Sequence, residues 1–193
     1  GDLVAAERAQ CRRGLVLRTQ RTPGVTVGAQ RIGQRPGVVP VALGAAGHFA
    51  FAVAGRGGPD DAGAWIDRER GVYLGHRRLS IIDLSRAGQQ PMRSEDGTCW
   101  IAPTGEIYNY VELREELEGL GHRFRGHSDS EVMLAAFWQW GVDSAVRRFA
   151  GMFATALWDG AERTLHLIRD RLGKKPLYWG RVAGTLVFAS ELK

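Results

Sequence analysis

The sequence predicts an α+β domain. Three observations carry this: strand-length runs of apolar or alternating residues bounded by Gly and Pro, two stretches with apolar residues recurring every three or four positions, and two turn signals between strand-like runs. With 193 residues, 44% hydrophobic and 24% charged, the chain fits one domain able to bury a core.

From Gly1 to Gly58 the chain is rich in Gly, Ala, Val and Arg, is interrupted by Pro23, Pro36 and Pro40, and has weak periodicity that also allows partial disorder. Val38 to Ala46 and Phe49 to Ala54 are apolar enough for strands or a short helix. Gly71 to Asp83 alternates and then runs apolar, as paired strands do, and Ser85 to Ser94, with Gly88 and Pro91, reads as a loop. Gly97 to Ala102 reads as a strand that Pro103 ends, turning over Gly105 into a helix marked by Tyr110, Leu113, Leu117 and Leu120. Asn109 and Glu112 have capping-box spacing at its start.

Gly121 to Arg125 reads as a short extended piece. Ser128 and Glu131 have the same capping spacing ahead of a helix through Met133, Phe137 and Trp140, on which Trp138 and Trp140 are expected to pack. A short helical segment follows around Val142 to Phe149. Asp159-Gly160, between Met152–Trp158 and Thr164–Ile168, marks a hairpin, and Pro176–Trp179 with Thr185–Ala189 form a second around Gly184. His166 alternates with apolar neighbours and reads as structural, and Lys174 and Lys175 are expected to face solvent.

The net charge of +5 is unevenly distributed. Residues 1–58 hold eight arginines against Asp2 and Glu7, while residues 59–193 hold 18 basic and 19 acidic residues. The basic segment lacks interleaved aromatics and any nucleic-acid-binding motif, so no nucleic-acid partner is expected. No apolar run is long enough for a membrane span, and there is no secretory leader pattern. Two cysteines, Cys11 and Cys99, make no disulfide framework, and a reducing cytoplasm is the expected location.

Chemistry concentrates around Pro103-Thr104-Gly105-Glu106-Ile107-Tyr108-Asn109. A strand-to-helix junction can leave a backbone N–H free for a ligand; Gly105 allows close approach, and Glu106 places a carboxylate beside it. Arg78 offers a planar fork for a carboxylate, although by themselves Arg77 and Arg78 read as surface charges. Asp129 stands at a helix start, where the dipole favours its charged form, and by itself it reads as plain capping.

Seven ordered blocks carry a resemblance: RGGPDDAGAW at 56–65, LGHRRLSIIDLSRAGQQPM at 74–92, TGEIYN at 104–109, GHSDSEVM at 126–133, GMFATALWD at 151–159, RDRLGKKPLYWG at 169–180 and FASELK at 188–193. From about Pro59 onward the chain resembles the glutaminase domain, a class II glutamine amidotransferase, of glutamine-hydrolysing asparagine synthetases. The resemblance implies the four-layer α-β-β-α sandwich of N-terminal-nucleophile hydrolases over residues 59–193, after a divergent basic segment over 1–58. A start at Gly rather than Met suggests a fragment or an uncertain start, and no pyrophosphatase loop of a synthetase domain occurs. ATP and magnesium are expected only with that missing domain, and no cofactor or metal with this one.

By the same resemblance, Arg78 holds the α-carboxylate of glutamine, Leu79, Ser80, Ile81 and Ile82 line the substrate, Asp129 holds the α-ammonium, and Glu106 lies beside it. Gly105 and the residue before it form the oxyanion hole. There the family has Asn and this chain Thr104, whose shorter hydroxyl puts the hydrolysis rate in question. The family nucleophile is an N-terminal cysteine with its own α-amine as base. Here the candidate is Cys11, followed by Arg12-Arg13-Gly14, a departure from the family start, and Gly57 replaces an expected arginine. The expected activity is ammonia release from glutamine for amidation of aspartate, in partnership with a synthetase domain or subunit; a homodimer is an open assembly. The alternatives are a degenerate β-lactam-synthetase-like domain and a non-catalytic module that binds glutamine or supports a partner.

Overall fold

The computed structural model describes residues 30–31, 37–42, 49–52, 61–78, 82–182 and 185–191. Cys11, Leu79, Ser80, Ile81 and Gly184 lie outside the described residues, as does the expected domain boundary at residue 58. The strands are β1 (Gln30–Arg31), β2 (Gly37–Ala42), β3 (Phe49–Ala52), β4 (Asp61–Asp67), β5 (Val72–Arg78), β6 (Met92–Arg93), β7 (Cys99–Ile107), β8 (Gly151–Asp159), β9 (Thr164–Arg169), β10 (Tyr178–Val182) and β11 (Thr185–Ala189). The helices are α1 (Tyr110–Gly119), α2 (Asp129–Trp140) and α3 (Val142–Arg148).

Two sheets form. One has the order β1-β10-β11-β3-β5-β4, the other β2-β9-β8-β7-β6. β3 runs parallel to both β11 and β5, whereas the other pairs are antiparallel. Strand is therefore the form taken by Gly37–Ala42 and Phe49–Ala52, for which a short helix was the alternative.

The period-two pattern of the second sheet gives it two apolar faces. Ala102, Ala156, Trp158 and Leu167 meet Leu74 and Phe188 of the first sheet, and the small alanines let the sheets close around Trp158. Ile101, Ile107, Phe153 and Leu157 face the helices, where Leu117 and Val132 cover them. Each fully buried side chain of this size contributes roughly 1.5–3 kcal/mol. Among the described residues, helices cover this face only. None of them is long and apolar enough to cross a membrane.

Several local expectations are corrected. Pro103 does not end its strand: β7 continues to Ile107, pairing Pro103 with Thr155 and Gly105 with Phe153. The N–H and C=O of Phe153 are both engaged by Asp170, so Gly105 and Phe153 form a non-hydrogen-bonded pair, and Pro103, two residues away, does too. A missing N–H costs the ladder nothing there. Asn109 makes no side-chain cap; its amide donates to the carbonyl of Arg148 (2.9 Å) and accepts from Ala150 N–H (2.9 Å), pinning the start of α1 to the strap before β8.

Ser128 does cap α2, accepting from Ser130 N–H at 3.1 Å. Glu131 turns instead to the N–H groups of Arg125 (2.9 Å) and Gly126 (3.0 Å). Trp138 is 59% exposed with His122 edge-on at 5.4 Å, so only Trp140 packs as expected, under the guanidinium of Arg148 at 3.8 Å. The β8–β9 hairpin exists, but its loop spans residues 160–163, and the Asp159 carboxylate holds it by accepting from the N–H groups of Ala161 and Glu162.

Candidate active site

The site grows from the open edge of β7. β6 pairs only with Trp100 and Ile101, so beyond them no strand among the described residues covers that edge. The carbonyl of Pro103 there accepts from His76 Nε2 at 2.7 Å, and the N–H of Ile107 donates to Asp129 Oδ2 at 3.1 Å. Gly105 lies midway, and because Phe153 opposite faces away from it, its own N–H points to the same open edge. Its φ of +93° is a glycine conformation, and a Cβ would fall 2.0 Å from the carbonyl of Met152. Thr104 and Glu106 flank it, both half-buried.

Asp129 is the first residue of α2, placed by the Ser128 cap, and it is 7% exposed. Burial pushes its carboxyl above the ordinary 3.8, and the charge of Glu106 pushes the same way. Hydrogen bonds from Ile107 and Ser130 oppose this. A cation placed between the two carboxylates favours their charged forms and offsets this rise.

Arg78 closes β5. Val72, Leu74, His76 and Arg78 alternate onto one face, so the guanidinium lies one pleat beyond His76 toward the strand end. It donates to the carbonyls of Ser85 (3.2 Å) and Asp83. The Asp83 carboxylate accepts from Ser85 N–H (2.8 Å) and His127 N–H (2.9 Å); the Ser85 side chain first, then the N–H groups of His127 and Ser85, hold it below the usual carboxylate range against burial.

His76 is buried. A carbonyl only accepts, so Nε2 carries the proton and Nδ1 is a bare acceptor, without a partner among the described residues. Burial lowers its pKa below 6.5, and the Arg78 charge lowers it further, against the bond to Pro103. Above pH 6.5 the imidazole is therefore neutral.

The structure thus brings Thr104, Gly105, Glu106 and Asp129 together, and His76 ties β5, which Arg78 closes, to the same strand edge. Ile82 is half-buried directly before Asp83. Three residues have roles the sequence reading did not assign. His76 occupies an apolar position in the alternation of β5, a detectable signal. Asp83 bonds locally to Ser85 N–H, but nothing local signals its second bond, to His127 N–H 44 residues away. Lys175, expected in solvent, is half-buried with its Cγ and Cε 2.9 Å from where a Cβ on Gly105 would sit. Its loop is drawn in by Asp170, whose carboxylate accepts from the N–H groups of Lys174 (2.9 Å) and Lys175 (3.0 Å). Among the described residues no cluster of His, Cys, Asp and Glu could hold a metal ion.

Residues 45–193 match the family model described as a glutamine amidotransferase domain. The chain is 46% identical over 136 residues to asparagine synthetase [glutamine-hydrolyzing] 1 of Bacillus subtilis, covering 70% of this chain and 21% of that protein. It is 40% identical over 138 residues to asparagine synthetase [glutamine-hydrolyzing] 3 of the same organism, covering 70% and 22%. The chain therefore spans about a fifth of the length of these curated relatives. Among solved structures, the glutamine phosphoribosylpyrophosphate amidotransferase from B. subtilis aligns at a TM-score of 0.54 with 25% identity, covering 62% of this chain and 27% of that one. This likeness bears out the expected α+β class of N-terminal-nucleophile hydrolases.

Proposed function

The chain belongs to the glutamine amidotransferase domain family, and from that premise we propose that it binds glutamine and hydrolyses the side-chain amide to glutamate and ammonia. The ammonia passes to a synthetase domain or subunit that amidates aspartate, with ATP and magnesium acting there, in the cytoplasm. The observation that carries the reading is the buried Asp129 carboxylate, tied to the N–H of Ile107 two residues from the open N–H of Gly105. An α-ammonium and a developing oxyanion are thereby served from one strand edge.

In this reading Arg78 takes the α-carboxylate in its donor fork, and Asp129, with Glu106 beside it, takes the α-ammonium. The thiolate of Cys11, exposed as the first residue once the ten before it are removed, attacks the amide carbon. Its α-amine accepts the thiol proton and returns it to the leaving nitrogen, so ammonia departs and a γ-glutamyl thioester remains. Water, deprotonated by the same amine, then cleaves the thioester to glutamate and restores the thiol. Gly105 N–H and the Thr104 hydroxyl stabilise the oxyanion formed in both steps.

Ammonia release from glutamine by the purified chain tests this. Glutamine-dependent ammonia that disappears in Asp129→Asn is expected; release that ignores Asp129 and Arg78 would overturn the assignment.

A further inference from the structure

The groups expected to hold the two ends of an amino acid stand on separate elements, Arg78 ending β5 and Asp129 opening α2. A ligand gripped at both ends gains over one gripped at a single end only when the holders keep a fixed separation. Asp83 connects them. Its carbonyl accepts from the Arg78 guanidinium, and its Oδ1 accepts from Ser85 N–H (2.8 Å), which places the carbonyl of Ser85 to accept from Arg78 as well (3.2 Å). Its Oδ2 accepts from the N–H of His127 (2.9 Å), the residue before the cap Ser128 and two before Asp129.

The strap carrying His127 is fixed to α2, because Glu131 accepts from Arg125 and Gly126 N–H. The approach is close: a Cβ on Gly126 would fall 2.4 Å from Asp83 Oδ2 and 2.8 Å from the Cβ of Ala87. Asp83, 6% exposed as a residue, is thus a buried brace between the two loops.

We infer that Asp83 is a positioning residue that fixes the Arg78 guanidinium against the Asp129 carboxylate and so makes the site select α-amino acids over ligands bearing only one of the two charges. The inference rests on the glutamine-binding reading above.

Nuclear magnetic resonance titrations of the wild type, Asp83→Asn and Gly126→Ala with three ligands test it. These are glutamine, glutaric acid monoamide, which lacks the ammonium, and the amide of γ-aminobutyric acid, which lacks the carboxylate. Asn keeps one acceptor and loses the other, while Gly126→Ala wedges the loops apart with the Asp83 charge intact and carries the test if Asp83→Asn folds poorly. In both variants glutamine affinity is expected to fall about tenfold, the worth of one charged hydrogen bond, while each one-ended ligand changes by less than about twofold, since it needs only one holder. Unchanged glutamine affinity, or an equal fall for all three ligands, overturns the inference while leaving the glutamine site standing. A wild type that binds none of the three overturns the glutamine site and the inference with it.

Discussion

His76 on the first sheet donates from Nε2 to the carbonyl of Pro103 on the second at 2.7 Å, joining the sheets two residues before Gly105 and two residues before Arg78. Because Pro103 holds its place in β7 without an N–H, this bond is an outer anchor of the strand edge that faces the site. Replacing His76 with Ala leaves a carbonyl without its donor and is expected to destabilise the fold by about 1–3 kcal/mol, measurable by denaturant unfolding.

The same imidazole predicts a pH dependence. Its folded pKa lies below 6.5, burial being the first cause, so its contribution to stability is present above that value and lost as pH falls through the lower folded value. His166, lowered by burial too, acts in the same direction. Melting temperature is therefore expected to decline below pH 6.5. His76→Gln, which still donates but does not titrate, should flatten the decline; an unchanged slope would assign it to other groups.

Asp129 carries the opposite sign. Its folded pKa is raised by burial and by Glu106, so the stability linked to it is present below the ordinary 3.8 and lost as pH rises through the folded value. At neutral pH Asp129→Asn should raise the melting temperature while weakening glutamine binding by roughly 2–5 kcal/mol, the cost of truncating one partner of a buried charge pair. Calorimetric melting and glutamine titration on one preparation check both halves.

Thr104 supplies a shorter donor than the amide expected beside Gly105. Thr104→Asn is expected to raise the turnover number for ammonia release by about two orders of magnitude, or roughly 3 kcal/mol of oxyanion stabilisation, with little change in KM. A gain confined to KM would place residue 104 in ground-state binding instead.

Gly105 has no tolerated substitute. Its φ is +93°, and a Cβ would meet backbone oxygen at 2.0 Å. Gly105→Ala should cost more than about 2 kcal/mol, strain and displacement of β8 together, visible as a lowered denaturation midpoint.

The helices and hairpins were legible because their signals are local. The spacing of Leu113 and Leu117 and the Ser128 cap lie within a few residues of what they determine. Pro103 and Gly105 misled for the same reason: locally they end a strand, yet at their register β7 needs no ladder bond. Asn109 had the spacing of a cap, but the strap from Arg148 to Ala150 takes its side chain. Arg78, Gly105, Glu106 and Asp129 could be located from ordered motifs. What joins them could not, since the bonds of His76 to Pro103 and of Asp83 to His127 span 27 and 44 residues.

The most direct test of glutamine hydrolysis by this chain is intact-mass spectrometry before and after treatment with a glutamine-mimicking diazoketone. The account predicts a processed chain beginning at Cys11 that gains one covalent adduct there, blocked by excess glutamine and absent in Asp129→Asn. A chain that gains no adduct, or gains one that glutamine does not block, would contradict it.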